Sequence, residues 1–382
     1  MFPKEAEVVV IGGGIVGSAT AYFLAKEGKK VVLVERGHRS GEASGGNAAW
    51  VWSLTRKAGI DITLAMHSIS IHKELQKELE LDFEYRANGG LLVIDSEHQF
   101  PYIDAHLKQR ENDGHPLEMI NAKQVFEIEP LLNRKTILGA VWNPVDGTTN
   151  PILLVVALNM QAEEFGAKIY HHTEVQSIEV KEGRIESVTT NQGAIRTNCV
   201  VNAAGSWANY IGEMVGLSVP IKPFQMAMLV TEQIPRCISH PIMGASYMVE
   251  EDTGKEQGGG CGLIVSQQVS GNLLIGASWR DAGYDKRTTQ EEIELMAKVT
   301  LNAIPSLKNV RIIRSFANFF PHTSDDLPIL GKVDDICGFI MASGHNGHGI
   351  CLGPGSGKLI AELVSDGKTS IPLDELNLSR FV

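Results

Sequence analysis

Three glycines and one acid near the start of the chain define a binding chemistry. Gly12, Gly14 and Gly17 stand in the spacing G-x-G-x-x-G, with Gly13 inside it, and Glu35 lies 18 residues beyond Gly17. The first glycine permits a tight turn, the second lets a pyrophosphate approach the backbone, and the third lets a helix pack closely on a strand. N–H groups at a helix start, here Ile15 and Val16, hold phosphates together with the helix dipole. An acid about 20 residues further on accepts a ribose hydroxyl. A second glycine-rich helix start, Gly344-His345-Asn346-Gly347-His348-Gly349-Ile350, offers N–H groups and a positive dipole end to another electron-rich group. His345 and His348 are candidates for acid–base work. The alternatives are that His348 packs in the turn for shape and that His345 lines a pocket.

These residues need elements to hold them. Val8–Ile11 and Val31–Val34 are apolar runs that read as strands, and Ile15–Lys26 between them reads as a helix ended by Gly28. The bland reading is an ordinary β-α-β unit; the acid at the second strand's end favours the dinucleotide. Residues 37–49 form a loop of small and hydroxyl side chains, including Ala43, Ser44, Gly45, Gly46, Asn47, Ala48 and Ala49, able to surround a ligand with backbone N–H groups. Trp50 and Trp52 either cover a ring system or belong to the core. Arg56 is an anion contact or solvated surface. Helices are expected at 62–81, 102–113, 123–129, 152–165 and 290–303. Strands are expected at 83–94 around a turn at 88–90, and at 168–172, 174–180, 184–190, 226–230, 263–267 and 273–276. Residues 199–205 form a buried strand ending in Ala203, Ala204 and Gly205, small enough for a cofactor or helix to approach. Residues 251–262 read as a polar glycine-rich loop.

At 382 residues the chain suggests two domains or one interleaved unit. The 34 Lys and Arg against 45 Asp and Glu leave a net charge of −11, which argues against nucleic acid or an anionic membrane as partner. Five scattered cysteines without a C-x-x-C pair suggest neither a metal site nor a disulfide framework, and suit a reducing cytoplasm. No membrane span is expected, since the apolar run at 8–16 is too short and glycine-rich.

With these motifs in order, the chain resembles flavin-dependent oxidoreductases of the D-amino-acid oxidase superfamily. The resemblance runs through the Gly12 to Glu35 unit, the 43–49 loop, the turn at 146–151, the strand at 201–207 and residues 321–331 and 343–361. It is nearest to the group of proline dehydrogenase β-subunits, hydrogen cyanide synthase subunits, opine oxidase subunits and D-hydroxyproline dehydrogenases. It implies an α/β fold: a Rossmann-like FAD-binding domain (1–81, 146–221, 331–382) interleaved with a smaller α+β substrate domain on a mostly antiparallel sheet (82–145, 222–330). FAD would be bound non-covalently. Gly12, Gly14, Ile15 and Val16 would hold its pyrophosphate, and Glu35 with Arg36 the adenosine ribose end. The 43–49 loop would wrap the phosphates, Val175 would meet adenine, and Ala203, Ala204, Gly205 and Trp207 would pack beside the cofactor. Gly347, His348, Gly349 and Ile350 would set a helix start at the flavin's pyrimidine edge.

The resemblance also implies departures. Asn318 stands where some sarcosine oxidases tether flavin through a cysteine. Cys351 stands where they keep a lysine, and Phe320 and Gly347 stand where glycine oxidase keeps arginines. The substrate pocket would then be apolar, with Trp50, Trp52, Phe319, Phe320 and His345 as walls and Arg56 or Arg280 as the carboxylate contact. The expected activity is oxidation of the C–N bond of an amino acid or secondary amine by hydride transfer to flavin. The alternatives are oxidation of a hydroxy acid at C–O, or a flavin-binding subunit of a larger dehydrogenase complex without turnover of its own.

Overall fold

The computed structural model describes residues 2–253 and 259–381. Its first strand, β1 (Val8–Ile11), is completely apolar and buried, as is the second, β2 (Val31–Val34). Such runs bury both faces of a parallel sheet. They lie near the middle of a six-stranded sheet in the order Ile329–Lys332, Phe339–Ser343, Val200–Asn202, β1, β2, Lys168–Tyr170. All neighbours are parallel except the pair Ile329–Lys332 and Phe339–Ser343.

Alternation along β1 supplies two cores. Val8 and Val10 join one cluster with helices α1 (Ile15–Lys26), α2 (Ile60–Glu78), Pro151–Glu164 and Gly349–Ser365. Val9 and Ile11 face the other way, onto Val175, Ile178, Ile185, Val188 and Ile195 of a three-stranded antiparallel sheet. Each side chain of this size contributes about 1.5–3 kcal/mol on burial.

A second sheet of eight strands runs in the order Ile312–His322, Lys222–Thr231, Leu273–Arg280, Gly260–Gln267, Ile242–Gly244, Gly90–Ile94, Gly139–Asn143, Glu118–Asn121. It is antiparallel except where Ile242–Gly244 meets Gly90–Ile94. One face packs on the helix Gln290–Ala303 through Met296, Leu229, Val265 and Ile275. The other carries Met228, Met243, Ile264 and Ala277, packed with Trp50 and Trp52.

Three readings change. The strand Ile329–Lys332 crosses the expected division at 330 and 331, and its pairing assigns it to the six-stranded sheet. Of the expected strands at 83–94, only Gly90–Ile94 forms. Glu84 adopts φ 57, which breaks the alternation, and Phe83 and Tyr85 bury into the helical core instead. The expected loop at 251–262 begins as the end of the helix Ala245–Thr253 and finishes as the start of the strand Gly260–Gln267, while residues 254–258 lie outside the described residues. Among the described residues no helix is long and apolar enough to cross a membrane.

Candidate active site

Between the two sheets lies a cavity of about 590 Å³, within the usual range for a small-molecule site. Its floor is the carboxyl end of the parallel strands, the customary ligand position in such sheets: Ile11, Val34, Ala203 and Ser343. Its opposite wall comes from the eight-stranded sheet, through Met226, Met243, Ile264 and Phe320, and from Tyr247 of the helix Ala245–Thr253.

The glycine turn forms the cradle. Gly12 has φ +113, a conformation open to glycine, and a Cβ there would meet the Ala203 carbonyl oxygen at 2.4 Å. A Cβ on Gly14 would meet only the Ser44 side chain, at 2.9 Å from Oγ. The Ile15 N–H donates to that same Ser44 Oγ at 2.9 Å. Glu35 accepts from the Gly13 and Gly37 N–H groups, each at 2.7 Å, so its carboxylate is oriented at the cavity wall. The Arg36 guanidinium lies over the Trp207 ring at 4.0 Å. Asn47 ties the next loop together: its amide donates to the Ala43 and Ser44 carbonyls, both at 2.9 Å, and its oxygen accepts from the Ala49 N–H at 2.7 Å.

The cavity is lined by Gly12, Gly13, Gly14, Ile15, Val16, Glu35, Arg36, Ala43, Ser44, Gly46, Asn47, Ala48, Val175, Ala203, Ala204, Gly205 and Trp207. Gly347, His348, Gly349, Ile350, Trp50, Trp52, Phe319, Phe320 and His345 complete the set brought together. Other expectations are corrected. Gly17, Gly45 and Ala49 stand behind the wall. A Cβ on Gly17 would meet the Gly12 carbonyl oxygen at 2.0 Å, and one on Gly45 the Ser40 carbonyl oxygen at 2.1 Å, so both glycines serve packing. Ala49 supplies backbone to Asn47.

Neither expected arginine lines the cavity. Arg280 turns to Gln225 (2.7 Å) and Glu292 (3.2 Å), across the strand pair and toward the helix Gln290–Ala303. Arg56 is buried one layer behind, where it pairs with Asp61 at 3.4 Å and donates to His348 Nε2. The loop that carries it is fixed by Asp146, which accepts from the Ser53 N–H (2.8 Å), Ser53 Oγ (2.7 Å) and Leu54 N–H (3.0 Å). Arg110 closes the same loop by donating to the Ser53 carbonyl at 2.8 Å.

Both histidines are neutral. A guanidinium only donates, so His348 Nε2 accepts and its proton sits on Nδ1. Burial, then the charges of Arg56 and Lys57, hold its pKa well below the usual histidine value. Ser356 Oγ donates to the Leu352 carbonyl (2.9 Å), which leaves its lone pairs for His345 Nε2–H (2.9 Å). Burial pushes His345 down to about 3. Cys351, also in the wall, is pushed up to about 12 by burial and stays a thiol. Among the described residues lining the cavity, Arg36 is the one lysine or arginine, and it stands at the Glu35 end.

The residues present fit FAD. The glycine cradle, the oriented Glu35 and two helix starts face one elongated cavity. In its wall Ser40 Oγ and Trp50 Nε1 are buried without a protein partner, as groups awaiting a polar ligand would be. Sequence reasoning covered Ser40 only as part of the 37–49 loop and missed Met226, Met243, Tyr247 and Ile264. Strand periodicity marks the strands of the large sheet but not which face turns to the cofactor.

Comparison with known proteins agrees with this geometry. The profile of the family described as FAD dependent oxidoreductase matches residues 7–363. Mouse mitochondrial sarcosine dehydrogenase is 27% identical over 99% of this chain, which spans only 42% of that protein's length. Hydrogen cyanide synthase subunit HcnC of Pseudomonas aeruginosa is 25% identical, over 97% of this chain and 94% of its own. The crystal structure of L-proline dehydrogenase from P. horikoshii superposes with a TM-score of 0.90 and 28% identity, covering 100% of this chain and 98% of that one.

Proposed function

The chain belongs to the family of FAD-dependent oxidoreductases, and from that premise we propose that it oxidises the C–N bond of a cyclic or N-substituted amino acid. Sarcosine and proline, the substrates in the names of two relatives, are both secondary amines. The observation that carries the reading is the wall facing the glycine turn. Met226, Met243, Tyr247, Ile264, Phe320 and Trp52 form an apolar enclosure that suits a ring or N-alkyl group.

Bound FAD would supply one thing, acceptance of a hydride, one proton with two electrons, from the carbon beside nitrogen. The chain does the rest. Gly12 to Val16 and Glu35 would hold the dinucleotide, the turn at 347–350 would offer it a second helix start, and the apolar wall would exclude water. The oxidised product is an imine, which water hydrolyses after release. His348 keeps its proton on Nδ1 and is available as a donor, while its Nε2 is occupied by Arg56. With both histidines held neutral, neither supplies a base that titrates near pH 7, so the amine arrives already deprotonated. A C–O substrate, whose hydroxyl must lose a proton, is the poorer match for such a wall.

The test is flavin bleaching by proline, both enantiomers of hydroxyproline, an opine, sarcosine and glycine. Cyclic or N-substituted substrates reduce the flavin faster than glycine, and the rate rises with pH through the substrate's own amine pKa. Glycine as the fastest substrate overturns the reading. Turnover of the purified chain with an artificial acceptor decides whether a partner subunit, as in the HcnC relative's name, is required.

A further inference from the structure

The segment between the strand Leu273–Arg280 and the helix Gln290–Ala303 belongs to the large sheet but reaches across to the other side of the FAD cavity. Two residues of its tip, Tyr284 and Lys286, make contacts there. The Tyr284 ring stacks on Trp207, with centroids 5.2 Å apart and planes 24° apart. Tyr284 Oη donates to the Ser206 carbonyl at 2.8 Å. Lys286 pairs with Glu42 and lies 5.6 Å from the Phe319 ring centroid, a ring that Tyr284 also meets edge-on at 5.5 Å. Ser206, Trp207, Phe319 and Glu42 all line the cavity, whereas Tyr284 and Lys286 form a layer outside them.

The base of the segment is tied just as firmly. Arg280 donates to the Arg287 carbonyl at 2.9 Å, and Gln225 donates to the Asp285 and Arg287 carbonyls. Thr289 then caps the following helix. A tethered base with a tip bonded to the opposite wall is the construction of a strap.

We propose that residues 281–289 are a cofactor-retention strap, in which Tyr284 is a positioning residue that holds the Ser206–Trp207 wall against bound FAD. Arg280 then acts as the strap's anchor. Burial raises the Tyr284 hydroxyl to about 12, so it remains a donor throughout the neutral range. The Lys286–Glu42 pair is half exposed and adds less than the ring stack and hydrogen bond. The proposal concerns cofactor binding, so it stands or falls separately from the substrate assigned above.

The experiment follows release of FAD from the holoprotein after dilution, read by the fluorescence of free flavin, with urea unfolding of each apoprotein alongside. A ring stack and a neutral hydrogen bond together predict release about tenfold faster in Tyr284→Ala. Tyr284→Phe, which keeps the stack, falls between that variant and wild type, and both apoproteins unfold near the wild-type midpoint. Lys298→Ala alters an exposed charge on the neighbouring helix, outside the strap, and leaves release within about twofold of wild type, a factor worth less than 0.5 kcal/mol. Wild-type release from both Tyr284 variants overturns the proposal. So does equal acceleration in Lys298→Ala, which would mark an effect not specific to the strap. Should Tyr284→Ala fail to fold, Tyr284→Phe alone decides.

Discussion

Gly14 and Gly17 stand three positions apart and differ in what a methyl group would meet. At Gly14 it meets a hydroxyl that can rotate away, and beyond that the open cradle. At Gly17 it meets the backbone oxygen of Gly12, which cannot. Gly14→Ala is therefore expected to lose most of its flavin while its apoprotein stays within about 1 kcal/mol of wild type. Gly17→Ala destabilises the apoprotein itself, by about 1–3 kcal/mol from overpacking. Flavin-to-protein absorbance and urea midpoints separate the two, and equal midpoints would reject the distinction. The same scale explains the failed arginines. Composition shows that Arg56 and Arg280 are cations, but a buried Asp61 and a cross-strand Gln225 claim them first.

At the scale of elements, the helix Gly349–Ser365 must start at the cavity, and α2 holds it there. His72 Nε2–H donates to the Ile350 carbonyl at 3.0 Å, and Ser68 Oγ accepts from the Gly355 N–H at 2.8 Å. Burial lowers His72 to about 4. The unfolded chain takes up that proton near pH 6.5 and the folded chain only near 4. The contribution to stability is therefore complete above 6.5 and is lost as pH falls toward 4, by about 1.4 kcal/mol per pH unit. His345, lowered to about 3, acts in the same direction. Asp146, raised to about 6 by burial, acts oppositely: its folded form binds a proton first, so stability returns as pH falls from 6 toward 4. Comparing wild type with His72→Gln isolates the one histidine. Between pH 7 and pH 5 wild type should lose about 2 kcal/mol more than the variant, measured by urea unfolding. Parallel pH slopes would show that His72 is not held neutral.

For the whole molecule, the cavity that fits FAD lies between two sheets with separate cores. A ligand at 100 times its Kd stabilises the folded state by about 2.7 kcal/mol. Stripped protein should melt several degrees lower and recover when FAD is added back. With Asn318 rather than a thiol at the tethering place, acid precipitation should leave the flavin in the supernatant. Flavin in the pellet, or a melting point indifferent to FAD, would contradict a non-covalent bridge.

What the sequence determined by itself was local. The first β-α-β unit was legible to the residue, because strand, turn, helix and acid are neighbours in the chain. The helix at Gln290–Ala303 was legible for the same reason, through its periodicity. The α/β class and its FAD followed from the family resemblance that such motifs carry. Only the tertiary structure decided which side chains complete the pocket. Met243, Tyr247 and Ile264 come from strands and a helix start far along the chain, and a strand's period of two does not say which face meets the cofactor. The tautomer of His348 depends on Arg56, 292 positions away, and the contacts of Tyr284 on a wall 78 positions earlier. Contacts of that range are set by how the sheets pack, and no local spacing encodes them.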